Sequence, residues 1–110
     1  MTHDELIAGF ERGTVPAGAF GHREHVRLAW LYLRRHGRAG AEQRLLAGLR
    51  AFAAAAGKPA KFDAPLTLAW VARIDAAAAA LPADHAFDDL LAHCPELLDR
   101  RSAGAAAQTI

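Results

Sequence analysis

An all-α, single-domain bundle of about five helices is the fold this sequence predicts, and three observations predict it. Apolar residues recur at three- and four-residue spacing along most of the chain. No stretch alternates apolar and polar residues as a half-buried strand would. Alanine supplies much of the 53% hydrophobic content, and alanine favours helix because it loses no side-chain entropy there. At 110 residues there is room for one core. The helical domain is expected over residues 1–101. Residues 102–110, opening Ser102-Ala103-Gly104-Ala105, are expected to be a disordered tail.

Thr2 followed by Glu5 is a capping box, so a first helix is expected from about His3 to Arg12, with Leu6, Ile7 and Phe10 as its stripe and Gly13 as its stop. Pro16, Gly18 and Gly21 make the next stretch a loop. A second helix runs from about His22 to His36 and stops at Gly37. Val26, Leu28, Ala29, Trp30, Leu31, Tyr32 and Leu33 cover most of its circumference, which places it at the centre of the bundle. A third, about Ala39 to Ala56, carries Leu45, Leu46, Leu49 and Phe52 on one face. Asp63 before Pro65 reads as an N-cap with proline in the first turn, so a fourth helix spans about Ala64 to Ala80. Asp84 is expected to cap a short fifth helix stopped by Pro95, and a last turn follows around Glu96 to Arg101.

The bulk numbers exclude several function classes. A formal charge of +1 is too near neutral to imply a polyanionic partner. The basic cluster Arg34-Arg35-His36-Gly37-Arg38 is accounted for by a helix C-terminus, and the following Ala39-Gly40-Ala41-Glu42 has few groups for reading bases. No apolar run approaches the ~20 residues that span a bilayer. The acidic start Met1-Thr2-His3-Asp4-Glu5 is unlike a signal peptide. One cysteine, Cys94, leaves no internal disulfide. A cytoplasmic protein is expected, and so small a core favours a homodimer. The single serine, Ser102, rules out a serine triad in practice, and no phosphate-cradling glycine motif is present. His85 and His93 are two turns apart, too far for one ion, and are expected on the surface.

Chemistry is best sought at His22 and His25. Three residues apart on a helix, they share a face, and both imidazoles can reach one point. Two imidazoles and a carboxylate are a common first shell for zinc or iron, and Asp63, at the start of a neighbouring helix, is the candidate third ligand. Arg27 can hold a small anionic ligand by a bidentate contact, or pair with Glu24 or Asp63. Trp30 and Trp70 are core residues by spacing, and wall a pocket if one lies between these helices. Thr67 can present its hydroxyl to such a pocket or bond back to its own helix. Two readings stand: a metal or small-ligand site built from His22, His25 and Asp63, or a non-catalytic homodimeric interaction domain with structural histidines.

The blocks His22-x-x-His25-Val26-Arg27-Leu28-Ala29-Trp30-x-Tyr32-Leu33 and Lys61-Phe62-Asp63-x-x-Leu66-Thr67-x-Ala69-Trp70, with Leu97-Leu98-Asp99 behind them, resemble a group of small bacterial helical proteins of uncharacterised function. Members tend to read H-x-x-H-V-R-L-A-W in the first block and K-[YF]-H-x-T-[IL]-T-x-A-[WF] in the second. The resemblance runs from about Phe20 to Asp99 and implies that the two blocks face one another across a pocket. Asp63 stands where similar proteins tend to carry histidine, so a three-histidine set would become two histidines and one carboxylate.

Overall fold

The first helix forms where its capping chemistry begins. In the computed structural model, which describes residues 1–100, α1 spans His3–Arg12. Thr2 Oγ1 accepts from the Glu5 N–H at 3.1 Å, and the Glu5 carboxylate accepts from the Thr2 N–H at 2.9 Å. Gly13 closes the helix in the left-handed conformation, φ 70°, which glycine adopts at no steric cost. Leu6, Ile7 and Phe10 are buried, as the stripe requires.

The helix α2 runs His22–Ala55, 34 residues, and here the expectation of two separate helices is corrected. Two helical limbs abut directly at Gly37, whose non-helical φ of 72° and ψ of −176° put a sharp kink between them. Glycine does break the helical path where expected, but one residue absorbs the whole change and no loop is needed. The described chain therefore holds four α-helices, not five. In the limb before the kink, Val26, Leu28, Ala29, Trp30, Leu31 and Tyr32 are all buried, so it is the central rod of the fold. In the limb after it only Ala41 and Leu45 are fully buried.

Asp63 caps α3 (Ala64–Ala79), its Oδ1 accepting from the Leu66 N–H at 3.0 Å, with proline in the first turn. The last helix, α4, covers Phe87–His93. Its cap is not Asp84: the Asp89 carboxylate accepts from the Ala86 N–H at 2.8 Å. Single 3₁₀ turns occupy Ala17–Ala19, Pro59–Lys61 and Pro95–Leu98. The tail expected at 102–110, and Arg101 of the expected last turn, lie outside the described residues.

Packing follows from these faces. Phe10 of α1 lies directly on Gly48, where any Cβ would enter its ring, and the Glu11 carboxylate accepts from the Tyr32 hydroxyl at 2.8 Å. Tyr32, Leu6, Leu28, Ile74, Leu90 and Leu97 are among the most enclosed side chains, each contributing about 1.5–3 kcal/mol by leaving water. The helix α3 crosses both limbs of α2, with Trp70 against His22 before the kink and Asp75 within 3.5 Å of Arg38 after it. Among the described residues no helix is long and apolar enough to cross a membrane.

Candidate functional site

Because α2 bends at Gly37, its two limbs and α3 border an open-sided cavity of about 620 Å³. Small-ligand sites fall in the range of roughly 300–1,000 Å³. His22, His25, Val26 and Ala29 face it from the first limb, Leu45, Leu49, Phe52 and Ala53 from the second, and Leu66, Thr67, Trp70, Val71 and Ile74 from α3. Phe20 and Phe62 complete the wall, and Arg50 packs over the Phe62 ring, 5.2 Å from its centroid. The polar lining groups gather where α2 and α3 begin: His22 and His25, Lys58, Lys61 and Asp63 of the linker, and Arg100. Further along each helix the lining is apolar.

His22 is fixed from two sides. Its ring stands edge-on to Trp70, centroids 4.7 Å apart, and Nε2 lies 2.8 Å from the Leu97 carbonyl oxygen. A carbonyl only accepts, so Nε2 carries a proton and donates, and in the neutral tautomer Nδ1 is the acceptor. His25 sits edge-on to Phe20 at 4.2 Å. Burial, and after it the neighbouring His22, lower its pKa to about 4, with Arg100 adding to the shift and the Gly21 backbone and Glu24 opposing it. At neutral pH His25 is therefore an uncharged ring that can both donate and accept. A base this weak contributes little to proton abstraction at pH 7, so it suits holding a ligand better than acid–base chemistry.

The sequence-predicted site divides. His22, His25, Asp63, Thr67 and Trp70 all line the cavity, so the two blocks do meet across it. Thr67 lines the cavity, and its hydroxyl bonds back along its own helix, donating to the Asp63 carbonyl at 2.8 Å. Arg27 and Trp30 are not there. Five residues beyond His22, Arg27 is rotated roughly 140° around the helix, and its guanidinium donates to His3 Nδ1 at 2.8 Å and the Met1 carbonyl at 2.9 Å. Trp30 is buried on the flank, its Nε1–H donating to His85 Nε2 at 2.9 Å and its ring lying 5.4 Å from Phe87. His85 is thus half-buried and bonded, in place of the free surface position expected for it. Nothing local signals a pairing 55 residues apart.

The His22, His25 and Asp63 ligand set for zinc or iron is not assembled. Among the described residues no three His, Cys, Asp or Glu side chains come together so as to hold a metal ion. Asp63 is engaged as the cap of α3, and one nitrogen of His22 is committed to Leu97. Missed by the sequence reading were Phe20, Phe52, Phe62, Lys58 and Arg100 as lining residues. Phe52 lay on the apolar stripe of the second limb and was legible as core only. Arg100 follows the 3₁₀ turn Pro95–Leu98, whose Leu97 carbonyl meets His22, and lines the cavity from there.

No family model, curated protein or solved structure matches this chain. The functional reading therefore rests on the geometry of the cavity.

Proposed function

We propose that this domain binds a small organic molecule in the cavity between α2 and α3. The observation that supports this best is the distribution of the lining. Phe20, Phe52, Phe62 and Trp70 supply aromatic walls, and the few polar groups converge at one end. An apolar body with sparse, fixed polar contacts is the usual make-up of a ligand pocket. Neutral His25, Nδ1 of His22 and the Thr67 oxygen offer such contacts, and both imidazole rings are already held by neighbours. The site differs from the buried core in being a space that side chains do not fill.

The neutral fluorophore phenylnaphthylamine tests the reading. Its emission is expected to rise saturably with protein, with Trp70 quenched by energy transfer in a Trp30→Phe background. Thr67→Phe and Ala53→Leu, which fill the cavity from opposite walls, are expected to remove the signal while circular dichroism shows unchanged helicity. Absence of saturable binding to the wild-type protein, or binding that survives in both folded filling variants, would overturn the proposal.

A further inference from the structure

The charge arrangement around the cavity narrows the class of ligand, on the premise that the cavity is a binding site. Lys58, Lys61 and Arg100 line it, against one carboxylate, Asp63. Asp63 is already occupied with the Leu66 N–H at the start of α3. Neither Lys58 nor Lys61 has an ion-pair partner among the described residues. Lys58, Lys61 and Arg100 are solvent-exposed at the rim of the cavity, so they attract an anion placed there with a strength that salt screens.

The kind of anion follows from the two helix N-termini nearby. The Glu24 carboxylate accepts from the Gly21 N–H at 3.1 Å, so the first turn of α2 carries its own negative charge. The first turn of α3 is capped by Asp63 and contains Pro65, which has no N–H. Neither terminus is open in the manner that phosphate groups exploit, and a multiply charged phosphate would approach two carboxylates. Lysine ammonium groups on flexible stems act as point charges and do not demand a bidentate partner. They attract carboxylate and phosphate alike, so the preference for a singly charged head group rests on the Glu24 and Asp63 carboxylates at the two helix starts.

We infer that the ligand is an amphipathic monocarboxylate, its chain or ring packed among Phe20, Phe52 and Trp70 and its carboxylate at Lys58, Lys61 and Arg100. His22 and His25 line the same cavity.

Displacement of phenylnaphthylamine by decanoate, decanol and decylamine tests this. Decanoate is expected to displace the dye at roughly tenfold lower concentration than decylamine, a difference of the size that close charges produce. Raising the ionic strength is expected to erode that preference and to leave dye affinity unchanged. In the variant Lys58→Gln/Lys61→Gln/Arg100→Gln, the preference for decanoate over decylamine, read as the ratio of their displacing concentrations, is expected to be lost. Equal displacement by all three compounds, a preference for decylamine, or a decanoate preference that survives the triple substitution would overturn the inference while dye binding stands. Failure of the dye itself to bind would instead defeat the underlying pocket reading.

Discussion

His25 couples the site to stability through its proton. An unfolded chain would titrate this ring near 6.5, whereas in the fold it titrates at about 4. As the pH falls the unfolded state takes up the proton first. The stabilisation is therefore complete above the unfolded value and lost progressively between about 6.5 and 4. Between pH 7 and pH 5 the wild-type protein is expected to lose about 1–2 kcal/mol more than His25→Gln. Urea unfolding at the two pH values checks this, and parallel losses in both proteins would refute it. At this scale the site was half legible. The spacing of His22 and His25 announces a shared face, and a helical repeat is enough to see it. That Asp63 is engaged by its own helix, or that His22 bonds to Leu97, depends on contacts the local pattern does not contain. Arg27 was misplaced because proximity in sequence was taken for proximity on the surface of the helix.

Among the elements, α2 organises the rest. Its first limb is apolar nearly all round and was readable as the central helix from sequence, since such a face arises only where neighbours cover every side. The kink was readable as a stop at Gly37, but a break between helices and a bend within one look alike in sequence. Both place glycine at positive φ. The second limb receives α1 at Gly48, where the Phe10 ring occupies the space a side chain would need. Gly48→Ala is expected to force α1 outward and to cost about 1–3 kcal/mol, even though alanine is the better helix former by ~1 kcal/mol. Thermal melting decides between these opposed effects, and a rise in Tm would show that α1 yields without cost. Capping was the most legible feature at this scale, because Thr2–Glu5 and Asp63–Pro65 act within a single turn. It failed at Asp84, where Asp89, three residues into the next element, serves the same purpose by reaching back.

For the whole molecule, the 3₁₀ turn Pro95–Leu98 matters more than its length suggests. The Leu97 side chain is fully buried and its carbonyl holds His22, joining positions 75 residues apart. Leu97→Ala is expected to destabilise the protein by about 2–4 kcal/mol through the cavity it leaves, measured by urea unfolding, and a loss below ~1 kcal/mol would show the turn to be peripheral. The all-helical class was legible throughout, because helical periodicity is a local property. The cavity was not, since it arises from three segments that meet only after the chain has bent at Gly37 and crossed itself with α3. The His22–Leu97 bond also imposes an order in time. During synthesis α1, α2 and α3 emerge before residue 97, so the nascent chain can build the cavity walls while the His22 ring is still untethered and Arg100 absent. The cavity lining becomes complete only as residues 97 to 100 leave the ribosome, and until then its aromatic wall is exposed apolar surface of the kind that invites aggregation.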